Sequence, residues 1–246
     1  MNPNVPRGAA ILLDFIAKLE TNRTGQAAYE TIIGFRNEKP GTLPKPITEM
    51  TLEELLAEQK RWVKNLKAPS GAAGRYQIIR PTLLSLVTEL GVPLSAKFAP
   101  DLQDRFGFAL LKRRGWEQFA ATKLPLRAFG NNLAKEWASF PVLSDMTGAH
   151  RVVRRGESYY AGDGFNASLA KASEAEAVLA EVLNELTRSP AAATPVPPMP
   201  ASPAPPAAPA PQPRTGKDWG CLGWAIAGLV VAGGLVAAAF TLPLPF

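Results

Sequence analysis

Residues 70–77 read SGAAGRYQ. Small residues, with glycines at 71 and 74, give way abruptly to Arg75, Tyr76 and Gln77, and the apolar pair Ile78–Ile79 follows. Glycine permits close backbone approach, so the segment opens as a turn. Arginine, tyrosine and glutamine then offer donors, acceptors and an aromatic face. Two readings stand at this point: a turn that leads into the helix starting at Pro81, or the wall of a binding cleft.

The surrounding segments are mostly helical. AAILLDFIAKLE (9–20) places apolar residues at 11, 12, 15, 16 and 19, one face of a helix. YETIIGF (29–35) is aromatic and β-branched and reads as a short strand. Residues 36–47 hold three prolines and read as loop. TLEELLAEQKRWVKNL (51–66) opens on a capping box, Thr51 with Glu54. PTLLSLVTELG (81–91) has proline in its first turn and glycine at its end. PDLQDRFGFALLKRRG (100–115) is another helix. LPLRAFGNNLAKEWASF (124–140) starts a further one that stops before Pro141, and SEAEAVLAEVLNELT (173–187) is a last amphipathic helix. The fold class expected is α+β, heavily α.

The chain has 246 residues and a net charge of +6, and 46% of its residues are hydrophobic, enough for a sizeable core. The basic balance points to an anionic partner. The clusters KRRG (112–115) and RVVRRG (151–156) are short, and no nucleic-acid recognition motif accompanies them, so nucleic acid is not expected as a partner. One cysteine, Cys221, excludes an internal disulfide. A single histidine, His150, leaves no His/Cys cluster for zinc, and no G-x-S-x-G elbow goes with it. GESYYAGDGFN (156–166) has too few acids for a calcium loop. Neither metal nor cofactor is expected.

Three regions are expected: a folded domain over 1–189, a Pro/Ala-rich linker over 190–218 and a transmembrane helix over 219–242. Pro and Ala make up nearly all of 190–213, a composition that favours polyproline II and reaches roughly 70 Å at about 3.1 Å per residue. No charged residue occurs from Trp219 to Leu242, and a bilayer needs about 20 apolar residues in a helix. The tail therefore reads as a single-pass membrane anchor, with Trp219 and Trp224 at one interface. Arg214 and Lys217 flank that end, which by the positive-inside rule puts the domain on the cytoplasmic side. The N-terminal twenty residues lack the pattern of a secretory leader.

Glu20 falls four residues after Ile16 and eight after Leu12, continuing the apolar stripe. A carboxylate there faces the interior or a cleft edge, where burial raises its pKa toward what a general acid needs. An exposed glutamate on a fraying helix end is the other reading. GNNLAKEWASFP (130–141) groups Asn131, Asn132, Trp137 and Ser139. Tyr159 and Tyr160 stand as a pair in the later Gly-rich loop.

A glutamate closing the first helix, YETIIG, AGRYQ and WASFP occur here in that order. This order resembles the lambda-phage lysozyme type of muramidase, the lysozyme-like peptidoglycan lytic transglycosylases, over roughly residues 8–186. The resemblance implies a lysozyme-like fold, a bacterial or prophage origin and peptidoglycan glycan strands as substrate. It implies Glu20 as the single catalytic acid. The resemblance further implies that Glu20 protonates the oxygen between N-acetylmuramic acid and N-acetylglucosamine and then accepts a proton from the attacking C6 hydroxyl. Such an enzyme needs no second carboxylate, unlike a two-carboxylate glycosidase. By the same resemblance Arg75, Tyr76, Gln77, Asn132, Trp137, Tyr159 and Tyr160 contact sugar. A hydrolytic lysozyme and a non-catalytic, membrane-tethered peptidoglycan-binding module are the alternatives. The helix within 36–67 departs from the phage enzyme, which has a flexible lip there and carries neither linker nor tail.

Overall fold

The computed structural model describes residues 1–188. The expected linker and membrane anchor lie outside the described residues. Among the described residues no helix is long and apolar enough to cross a membrane.

The first helix, α1 (Arg7–Thr21), is apolar on most of its circumference: Ala9, Leu12, Leu13 and Ile16 have no exposed surface. A helix of that kind belongs inside. It packs along α8 (Ala172–Arg188), which buries Ala172, Ala175, Leu179 and Val182 at helical spacing. Gly8 lets the two come close, since a Cβ there would lie 3.2 Å from Leu186 Cγ. α1 also meets α2 (Gly25–Tyr29) and α5 (Pro100–Arg113).

The expected capping box holds α3 (Leu52–Asn65): Glu54 N–H donates to Thr51 Oγ1 at 3.2 Å, and Thr51 N–H to Glu54 Oε2 at 2.8 Å. α4 (Arg80–Glu89) carries proline in its first turn and packs on α3. α6 (Trp116–Ala120) and α7 (Leu126–Ala134) bring Phe119 and Phe129 into a stack 4.3 Å between centroids. Burying each such ring contributes about 1.5–3 kcal/mol. A small antiparallel hairpin, β1 (Met146–Thr147) and β2 (Val152–Val153), pairs Met146 with Val153 and Thr147 with Val152. The architecture is α+β and mostly α.

Two expected elements are corrected. YETIIGF is not a strand. Tyr29 closes α2, Ile32 makes one isolated bridge to Ala73, and Ile33–Glu38 form a 3₁₀ turn. Gly34 and Phe35 both take positive φ, 61° and 55°, which ends any extended run. The helix expected over 124–140 begins at Leu126 and stops at Ala134. Trp137 and Ser139 lie in the turn beyond it, where Trp137 N–H still donates to Leu133 O and Phe140 N–H to Trp137 O.

Candidate active site

Glu20 is the penultimate residue of α1. The helix ends there because Asn22 takes the left-handed conformation, with φ 48°, and its N–H closes on Lys18 O. Thr21 Oγ1 donates to Ala17 O at 2.7 Å and accepts from Arg23 N–H at 3.2 Å. The stripe Leu12, Ile16, Glu20 points inward as the helical period requires, so Glu20 is half-buried. Burial pushes its carboxyl from 4.5 up to about 7, while hydrogen bonds from the Ser139 hydroxyl and backbone pull the other way. Ser139 Oγ donates to Glu20 Oε1 at 2.5 Å. Desolvation dominates, as expected for a carboxyl offered few donors. The carboxyl also lies at a helix C-terminus, where the dipole opposes negative charge.

Ser139 is fixed from several directions. Its carbonyl accepts from Leu169 N–H at 2.8 Å, and the preceding Ala138 carbonyl accepts from Ser158 Oγ at 2.7 Å. Phe140, fully buried, meets Phe15 of α1 edge-on at 6.1 Å. That contact sets WASFP against the helix that carries Glu20. Trp137, 3% exposed, donates from Nε1 to Tyr76 O at 3.3 Å. AGRYQ and WASFP therefore meet directly, although 61 residues separate the bonded pair.

Within AGRYQ the turn reading prevails for the backbone. Ala73 bridges Ile32 and Ile78, and Gly74 N–H donates to Thr31 O at 2.8 Å. Gly74 has φ +75°, and a Cβ there would lie 2.3 Å from Gln103 Oε1. Arg75 is buried: it donates from Nη1 to Tyr29 Oη at 2.7 Å and pairs through Nη2 with Asp14. Tyr76 is 1% exposed and donates to Asp104 Oδ1 at 2.7 Å. Gly107 makes room for its ring, because a Cβ there would sit 2.7 Å from Tyr76 Cε2. Arg75 and Tyr76 are thus inside the molecule rather than on a cleft wall. Gln77 is half-buried with φ 47°, and its Nε2 donates to Thr31 O and Gly74 O.

Asn132 donates to Arg114 O at 3.2 Å and so ties α7 to the end of α5. Its neighbour Asn131 anchors Leu143 N–H and Ser144 Oγ, each at 2.7 Å. Tyr159 and Tyr160 are half-buried and edge-to-face at 5.1 Å, and Tyr160 donates to Lys135 O at 2.7 Å. Hydrogen bonds join Ser139 to Glu20 and Trp137 to the Tyr76 carbonyl, but Trp137 is buried like Arg75 and Tyr76 and does not face a cleft, and Asn132 is set to structural work. Ser139 is the residue that sequence reasoning grouped but did not pair with the acid. Among the described residues no three His, Cys, Asp or Glu side chains converge on a metal position.

Comparison with protein-family models, curated proteins and solved structures gave no match.

Proposed function

We propose that the chain is a peptidoglycan-cleaving muramidase with a lysozyme-like domain, acting by lytic transglycosylation. The observation that carries the reading is the Glu20 carboxyl at a helix end, held by Ser139 and pushed up to about 7. A carboxyl in that range is a competent acid near neutral pH and a competent base once it has given its proton away. The resemblance in AGRYQ and WASFP supports the substrate.

The protonated carboxyl gives its proton to the oxygen linking N-acetylmuramic acid to N-acetylglucosamine, and the C1–O bond of muramic acid breaks. The carboxylate then accepts the proton of the muramic acid C6 hydroxyl as that oxygen bonds to C1. The product is a 1,6-anhydro sugar, the acid is regenerated and no water is consumed.

The test is mass spectrometry of digested, purified peptidoglycan. Anhydro-muropeptides support the proposal, and reducing ends indicate a hydrolytic lysozyme. No release by wild type overturns the enzyme reading in favour of a binding module, and equal release by Glu20→Gln overturns Glu20 as the catalytic acid. The charge-free tail is proposed as the membrane anchor. Protease accessibility on intact spheroplasts reads its topology, and protection of the domain places that domain in the cytoplasm until the membrane is breached.

A further inference from the structure

Phe35 is 40% exposed, an unusual place for a large aromatic, and it holds φ at +55°, a conformation that bulky residues rarely adopt. Gly34 before it also has positive φ, so two consecutive left-handed residues push the ring outward. Arg23 fixes the ring there: its guanidinium stands 5.2 Å from the ring centroid and is itself paired with Glu38. Arg23 follows Glu20 by three residues, so the 33–38 turn lies beside the end of α1 that carries the acid. At the next residue an open cleft of about 320 Å³ begins, lined by Arg36, Lys39, Pro40, Gly41, Thr42 and Leu66. Its two charged residues are cations. Arg36 donates to Leu66 O at 3.3 Å, and Lys39 is exposed, with no ion pair among the described residues.

An outward aromatic beside a basic cleft has the chemistry of a site for a sugar that carries an acid group. The apolar face of a pyranose stacks on the ring, and a carboxylate reaches the lysine. Muramic acid bears its peptide through a lactyl ether, and that peptide ends in carboxylates. We propose that residues 33–42 form a glycan subsite next to Glu20, in which Phe35 stacks on a sugar ring and Lys39 meets a carboxylate of the peptide substituent. This rests on the muramidase reading for the identity of the glycan.

The test measures binding of the full chain to purified peptidoglycan in the Glu20→Gln background, so that the ligand is not consumed. Adding Phe35→Ala weakens binding about tenfold, both to intact peptidoglycan and to glycan stripped of its peptides, whereas Phe35→Trp keeps it. Lys39→Gln weakens binding to the intact polymer alone, about threefold, and the difference closes in high salt. Melting curves that match the parent show that the variants fold. Equal binding by Phe35→Ala overturns the subsite, and equal binding by Lys39→Gln overturns its assignment to a peptide-bearing sugar. A wild-type chain that binds through Phe35 but cleaves nothing sinks the enzyme reading while the subsite stands.

Discussion

Two carboxyl groups enter the same core, and the molecule treats them in opposite ways. Asp104 has no exposed surface, yet its oxygens are met by Asn2 N–H at 2.7 Å and by the hydroxyls of Tyr29 and Tyr76 at 3.0 and 2.7 Å. The N-terminal ammonium stands 3.8 Å away. Glu20 is only half-buried, and Ser139 is the one residue whose hydrogen bonds offset its burial. The number of donors, rather than depth, separates the two. Asp104 is a structural joint by its hydrogen bonds, and a buried carboxyl left with few donors, as Glu20 is, is held close to its protonated form. The tyrosines at the joint are shifted too: burial leads in pushing Tyr29 up to about 12, and Tyr76 rises for the same reason. Both therefore remain hydroxyl donors across the working pH range.

The comparison breaks first at activity. Glu20→Gln keeps shape and removes the proton, so cleavage falls on the order of 10³-fold while the far-UV spectrum is unchanged. Wild-type kcat/KM declines above about pH 7, where the carboxyl loses its proton. A variant that cuts at the parental rate ends the contrast, since both carboxyls would then be structural.

Asp104→Ala attacks the other side. It leaves Asn2 N–H, Tyr29 and Tyr76 without their acceptor, and each stranded buried donor costs roughly 1–3 kcal/mol. A total near 4 kcal/mol lowers the melting temperature by about 10 °C, at roughly 2–4 °C per kcal/mol for a domain of this size. Cleavage per folded molecule at 20 °C stays as it was. A loss of rate without a loss of stability would move Asp104 into the reaction.

What the sequence told in advance follows the reach of its signals. Glu20 was legible because the Leu12, Ile16, Glu20 stripe is periodic, and the α3 cap because its two halves are three residues apart. Ser139 was not legible as its partner, because the two stand 119 positions apart and no local pattern encodes the pairing. Arg75 and Tyr76 look like cleft residues by type. Their burial depends on Asp104, Tyr29 and the missing side chain at Gly107, none of which the segment shows. YETIIGF misled because β-branched composition says strand, while two positive φ values decide otherwise. The β1–β2 hairpin has two residues per strand, too few for any alternation to show.

Glu20 also leaves a thermodynamic mark opposite in sign to that of a paired acid. Its folded pKa lies above the unfolded value, so the carboxyl favours folding only while protonated. That contribution is full below about 4.5 and fades as pH rises toward about 7. At pH 8 the buried charge costs on the order of 2 kcal/mol, after discounting for partial exposure. Glu20→Gln therefore melts several degrees higher than wild type at pH 8 and at about the same temperature at pH 4.5. A gain that does not change with pH would mean that the carboxyl is not held near its neutral form.

The smallest effect is the sharpest. Ser139 is what Glu20 has in place of the Asp104 donors, so removing its hydroxyl takes the donor-poor site one step further. Ser139→Ala deletes the Oγ bond that favours the ionised form and keeps the backbone N–H. The Glu20 pKa then rises, and the alkaline limb of kcat/KM moves up by less than about 1 pH unit. Ser139→Thr keeps a hydroxyl and returns the limb to its parental place. Because a higher pKa leaves more of the carboxyl protonated at neutral pH, the rate there is kept, which separates a residue that tunes the acid from one that shapes the fold. A limb that stays put in Ser139→Ala, with Glu20→Gln inactive, would assign the titration to a group other than Glu20.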